Sequence, residues 1–189
     1  MQLEISLPSW AIEFERCYSN TRFVSDEEKM QLAIELSRQN IINQTGGPFG
    51  AAIFNRDSGK LLSVGMNLVT GLNCCVAHAE IVAIIQSQQI LNTYDLSTGG
   101  SFELISSTEP CCMCMGAVVW SGVGRLVCGA TDADARSIGF DEGPKPDHWQ
   151  TQYNQRGIEV KTEFLRAEAA AVLAEYKNAG NTIYNPNRN

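Results

Sequence analysis

The chain has 189 residues, 44% of them hydrophobic, with a formal net charge of −7 and a pI near 4.8. This size and composition suit one globular domain on one core, since single cores usually carry roughly 100 to 200 residues. Fourteen Lys and Arg against 21 Asp and Glu leave little to displace counterions from a polyanion, which argues against a nucleic-acid partner.

The first residues, Met1-Gln2-Leu3-Glu4-Ile5, lack a basic segment followed by an apolar run, and no stretch of about 18 uninterrupted apolar residues occurs. A soluble, cytoplasmic protein without a membrane partner is expected. The seven cysteines at 17, 74, 75, 111, 112, 114 and 128 are an odd number without an export signal. They favour thiolate chemistry at a metal over a disulfide framework.

In chain order, residues 1–25 mix apolar and charged types without a clear period, and Pro8 interrupts any early helix. Ser25-Asp26-Glu27-Glu28 is a capping-box pattern, and Met30, Ala33, Ile34 and Ile41 recur at helical spacing, which predicts a helix over about 26–43. The runs 49–55 and 61–66 flank Arg56-Asp57-Ser58-Gly59-Lys60 and read as a β-hairpin. Residues 77–91 form an apolar helical stretch with His78 and Glu80 in its first turn. A strand over 101–107 leads to Pro110, tolerated at a helix start, and a second buried helix over 111–120.

A strand over 125–130 follows. Residues 131–150 are rich in Asp, Gly and Pro and read as a long loop, the kind that often forms a lid. A fifth strand over 157–164 and an Ala-rich helix over 166–177 complete the chain. Strands alternating with helices after a hairpin predict a three-layer α/β/α sandwich with a mixed, roughly five-stranded sheet. The expected organisation is a single domain over 1–189, with an N-terminal extension (1–25), a catalytic core (26–165) and a C-terminal helix and tail (166–189).

The chemistry concentrates in Ala77-His78-Ala79-Glu80 and Pro110-Cys111-Cys112-Met113-Cys114. One imidazole and two thiolates from His78, Cys111 and Cys114 suit Zn2+, one ion per chain, and three protein ligands leave a fourth position for water. Cys111 and Cys114 are three apart, so both sulfurs can face one point from a helix start, where the helix terminus favours thiolate. Glu80 can hold its carboxylate beside that water and carry protons to a substrate nitrogen. This is the machinery of hydrolytic deamination.

His-x-Glu followed by Pro-Cys-x-x-Cys is the pattern of zinc-dependent nucleobase deaminases. Together with Gly46-Gly47-Pro48-Phe49-Gly50-Ala51, Asn67, Thr131-Asp132 and Gly139-Phe140-Asp141, it resembles bacterial guanine deaminases of the cytidine deaminase superfamily over roughly 26–150. The resemblance implies the sandwich fold, a homodimer with a possible exchange of C-terminal elements, and hydrolysis of guanine to xanthine and ammonia by attack at C2. It assigns Glu80 to proton transfer, Asn67 and Phe49 to binding the purine, and the backbone near Ala79 to holding the activated water. Asp132 would select guanine over adenine, and Glu142 could be a second proton carrier.

Other readings remain open at this level. Ammeline-like aminotriazines and cytosine share the amino-bearing amidine carbon, and transfer-RNA adenosine deaminases share both motifs. A zinc-stabilised binding module would need a fourth ligand, for which Cys112, Cys74 or Cys75 are available. Cys74 and Cys75 otherwise read as packing, as do Cys17 and Cys128. Asp132 and Glu142 sit in an acidic loop, Phe49 could be core, and Trp10, Trp120 and Trp149 read as packing or lid.

Overall fold

The computed structural model describes residues 5–186. β1 (Gly50–Asn55) and β2 (Leu61–Met66) make the expected antiparallel hairpin, in which Asn55 Oδ1 accepts from the Ser58 amide at 2.8 Å. Gly59 closes that turn at φ +68° with its Cα against the Phe23 carbonyl, a place a Cβ could not occupy. β3 (Phe102–Thr108) lies antiparallel to β1, and β4 (Arg125–Ala130) and β5 (Glu159–Lys161) continue parallel to β3. The result is one mixed five-stranded sheet in the order β2-β1-β3-β4-β5.

Successive strand residues face opposite sides. Ala52, Phe54, Ile105 and Val127 enter one core with α2 (Asp26–Ile42) and α8 (Arg166–Asn178). Ala51, Ile53, Leu104 and Leu126 enter a second core with α4 (Ala79–Leu91) and α5 (Cys112–Ser121). This is the three-layer sandwich. β3 is buried along its whole length because helices cover it on both sides. α2 starts as its sequence predicts, with Ser25 Oγ accepting from the Glu28 amide and Glu28 Oε2 accepting from the Ser25 amide.

Three segments differ from expectation. α1 (Ser9–Tyr18) begins directly after Pro8, which precedes the helix rather than breaking it. Its Trp10, Phe14 and Tyr18 stack in a row that continues through Phe23 to Phe54 in the core. The stretch 131–150 is no plain loop. It contains α6 (Asp132–Ile138), opened by a capping box between Thr131 and Asp134, and the start of α7 (Trp149–Gln155). The fifth strand shrinks to three residues.

A further helix, α3 (Val69–Leu72), is a single turn after β2. At the sheet end remote from the cavity described below, Lys29 and Arg125 both pair with Glu103 at 2.6 Å, and Arg125 and Lys161 both pair with Asp26. At the opposite end, the carboxyl ends of β3 and β4, the start of β1 and the N-termini of α4 and α5 converge. Open α/β sheets bind ligands in such crevices.

Candidate active site

His78 is the residue that caps α4, and Cys111 caps α5 with an extended backbone; Cys114 follows one turn later. The donor atoms of His78, Cys111 and Cys114 all lie within 4.8 Å of one another, with Cys111 Sγ 3.5 Å from His78 Nδ1. Contact with Cys114, aided by His78, lowers the Cys111 thiol to about 4, and the same contact with burial raises Cys114 well above the ordinary thiol range. Two buried sulfurs and an imidazole in one small space, one sulfur already disposed to be thiolate, fit a soft divalent cation. The set has three members among the described residues. Cys112 and Cys75 stand on the cavity wall without joining it, and Cys74 packs half-buried against the core. The four-ligand structural site is therefore not formed here.

A cavity of about 430 Å³ is lined by His78 and Cys111 of this set. Glu80, in the first turn of α4, is buried on its wall. Burial, and then the Cys111 charge, raise its carboxyl above the ordinary value. Ala79 lies beside it, its amide in the first helical turn, where intrahelical acceptors are lacking. Glu142, also on the cavity wall, is buried near the same charges and raised to about 8, burial being the larger cause. Its carbonyl accepts from the Cys112 amide at 3.0 Å, which ties the 139–143 segment to the start of α5.

Asn67 follows β2 and is almost wholly buried on the wall. Its Oδ1 accepts from the amides of Gly47 at 3.4 Å and Val69 at 3.2 Å. The Nδ2 group donates to no other described residue, so its hydrogens are free for a ligand. Phe49 supplies an apolar wall and meets Phe140 edge-on at 4.9 Å, while Phe140 meets Tyr184 at 5.1 Å. Tyr184 and Asn185 bring the C-terminal tail over the site. Asn185 Oδ1 accepts from the Asp141 amide, and its Nδ2 donates to the Gly139 carbonyl.

Asp132 is the sequence-selected residue that the structure does not bring to the cavity wall. It begins α6, where Arg136, four residues on, takes its carboxylate at 2.6 Å and Lys145 approaches at 3.3 Å. Burial opposes its ionisation, but these cations outweigh it and lower its carboxyl below the ordinary value. Glu109 lies on the wall instead. Its Oε2 accepts from Lys145 Nζ at 3.1 Å and from the Asp132 amide at 3.2 Å. Its signal in the sequence is its place directly before Pro110-Cys111, which brings it to the same sheet end as the metal ligands.

Trp149 is buried beside Tyr153, and Trp10 is half-buried, as packing requires. Trp120 is 83% exposed and belongs to neither core nor lid. The C-terminal helix and tail, for which exchange between subunits was an expectation, pack here on their own sheet and their own site. No helix among the described residues is long and apolar enough to cross a membrane.

Residues 24–130 match the cytidine and deoxycytidylate deaminase zinc-binding region. Over 119 residues the chain is 34% identical to the guanine deaminase of Bacillus subtilis (strain 168), covering 63% of this chain and 73% of that one. It is 33% identical to a transfer-RNA-specific adenosine deaminase of Haemophilus influenzae over 156 residues, covering 80% and 82%. The solved guanine deaminase from Nitrosomonas europaea superposes with a TM-score of 0.87 at 45% identity, covering 94% of this chain and 97% of that one. A solved complex with 2,6-diaminopurine superposes at 0.88, also at 45% identity and covering 96% of each chain. With its zinc ligands gathered at two helix starts, the chain belongs to the family of the cytidine and deoxycytidylate deaminase zinc-binding region.

Proposed function

We propose that the protein hydrolyses guanine to xanthine and ammonia in this cavity. The observation that carries the reading is one pocket lined by His78, Cys111, a buried Glu80 and Asn67, with the Cys114 donor atom within 4.8 Å of those of His78 and Cys111 and with the Asn67 oxygen already held by two backbone amides. The similar proteins that act on guanine or hold a purine analogue support the choice of base.

Zinc bound by His78, Cys111 and Cys114 supplies the Lewis acid that makes water a nucleophile near neutral pH. Glu80 takes a proton from the water that adds at C2, delivers it to the adjacent ring nitrogen, and afterwards carries a proton to the departing amine. Guanine and water are consumed, and xanthine and ammonia leave. Ala79 and the α4 N-terminus face the oxygen being added. Asn67 Nδ2 donates to the acceptor edge of the purine, where guanine carries O6 and N7 but adenine places an amino group.

Phe49 packs on the ring. Glu109, rather than Asp132, is the wall acid placed to accept N–H donors, with Lys145 and the Asp132 amide holding one of its oxygens. Glu142 stands where a second proton carrier would act on the leaving amine. The same reading takes the protein to be cytoplasmic and to serve purine breakdown or salvage.

It also takes the protein to be a homodimer. α4 and α5 contain one charged residue between them, the buried Glu80, and α5 leaves Gly116 and Trp120 exposed one turn apart. A helix as apolar as α5, with no charged residue, is normally covered on more than one side. An uncharged face is what two copies of an acidic chain could share without repulsion. The base preference is tested by steady-state rates on guanine, ammeline and cytosine. Guanine should lead in kcat/KM, and cytosine leading would overturn the assignment.

A further inference from the structure

Asn40, on α2, is completely buried yet touches no part of the cavity. Both of its amide hydrogens are used. Nδ2 donates to the Gly47 carbonyl and to the Asn67 carbonyl, each at 2.8 Å. The Gly47 amide in turn donates to Asn67 Oδ1. Asn40, Gly47 and Asn67 thus close a small ring of hydrogen bonds around the base-binding amide. Gly46 lies so close to the Asn67 carbonyl that a Cβ there would sit 1.8 Å from its oxygen, so the backbone enforces the same approach.

The outer end of this ring is set by the N-terminal helix. Trp10 Nε1 can only donate, and it donates to Thr45 Oγ1 at 3.1 Å. The Thr45 hydroxyl then gives its single hydrogen to Asn40 Oδ1 at 2.6 Å. With Oδ1 accepting from Thr45 and Nδ2 donating to two carbonyls, Asn40 has one permitted orientation. Each link fixes the donor and acceptor sense of the next, from Trp10 through Thr45 and Asn40 to the segment that holds Asn67.

We propose that Trp10, Thr45 and Asn40 are positioning residues that lock the amide of Asn67 with Nδ2 toward the substrate. α1 is then a brace for base recognition and not merely a cover for the core. The proposal rests on the reading of Asn67 as the purine-binding residue. A half-turned or mobile Asn67 amide would present an oxygen where the base offers an acceptor. The loss should therefore fall on substrate affinity, and it should vanish once the Asn67 side chain is absent.

The test uses the full-length zinc-loaded protein and the near-isosteric Thr45→Val and Trp10→Phe, each alone and combined with Asn67→Ala. Thr45→Val should raise KM for guanine about three- to tenfold with little change in kcat, as expected for one hydrogen bond of orientation. Trp10→Phe should act in the same direction. In the Asn67→Ala background neither should move KM further. Additive effects, or a loss confined to kcat, would overturn the inference, because a purely structural defect has no reason to disappear with Asn67.

A second readout is independent of the substrate assignment. The side-chain amide resonances of Asn67, identified by their loss in Asn67→Ala, should broaden or split in Thr45→Val while backbone resonances remote from residues 40–69 stay in place. Unchanged Asn67 amide signals would refute the brace whatever base the enzyme prefers. Wild type inert toward guanine but with a responsive Asn67 amide would remove the guanine assignment and leave the brace standing.

Discussion

Glu80 can serve as a proton carrier because α4 starts at His78, so the carboxylate two residues on is carried into the same buried space as the ligand imidazole. Glu80→Gln keeps the shape and removes the base. It should retain one zinc per chain and its thermal midpoint while turnover falls by about a hundred- to ten-thousand-fold; turnover near that of wild type would remove Glu80 from the chemistry. Glu109, on the cavity wall, and Asp132, off it, separate in the same way. Glu109→Gln should lower kcat/KM for guanine roughly ten- to a hundredfold, the range for a hydrogen bond to a charged group. Asp132→Asn should cost distinctly less, because its carboxylate is already taken by Arg136 and Lys145. The reverse order would restore Asp132 as the selecting acid. The zinc ligands and Glu80 were legible in the sequence because their spacing at helix starts determines where they point, whereas Asn67 and Phe49, which line the cavity, came only from the family resemblance. Asp132 was not legible, since whether an acid faces a cavity or an arginine one turn away depends on packing that spacing does not encode.

At the scale of elements, the helices with strong end signals are where the sequence puts them. Ser25 and Glu28 start α2 through a reciprocal cap, and Pro110 leads into α5. α6 was hidden because its cap, Thr131 with Asp134, uses the Asp and Gly richness that also marks loops. α1 was hidden because Pro8 reads as a breaker, although Trp10, Phe14 and Tyr18 stand four apart on one side. Long-range charge pairing was not legible at all. Asp26 opens α2 but is held by Arg125 on β4 and Lys161 on β5, and the Arg125 hydrogen bond is the main reason its carboxyl lies far below the ordinary aspartate value of 3.8. A carboxylate with a lowered folded value stabilises fully above the unfolded value, and that stability is lost as pH falls from there through the folded value. Asp26→Asn should therefore lower the thermal midpoint at pH 7 and flatten the fall in midpoint between about pH 5 and pH 3. A midpoint curve that keeps the slope of wild type over that window would show that the cluster does not tie α2 to the sheet.

At the scale of the whole molecule, the two cores, the sheet order and the crevice at the carboxyl ends of β3 and β4 place every proposed reacting group at one end. The buried charge cluster stands at the other. The outer side of α4 and α5 leaves Ile90 and Trp120 uncovered in the isolated chain, Trp120 in the last turn of α5. Sedimentation should find a dimer for wild type, and Trp120→Glu should shift it to monomer without unfolding, since the side chain is exposed in the single chain. A dimer unaffected by that substitution would place the interface elsewhere. The most direct test of the whole account is ultraviolet-monitored turnover of guanine by purified protein, with zinc measured on the same sample and Glu80→Gln as control. The account predicts conversion to xanthine by the wild type alone, with one zinc per chain in both proteins. A zinc-loaded wild type that leaves guanine untouched, or a zinc-free protein that converts it, would contradict it.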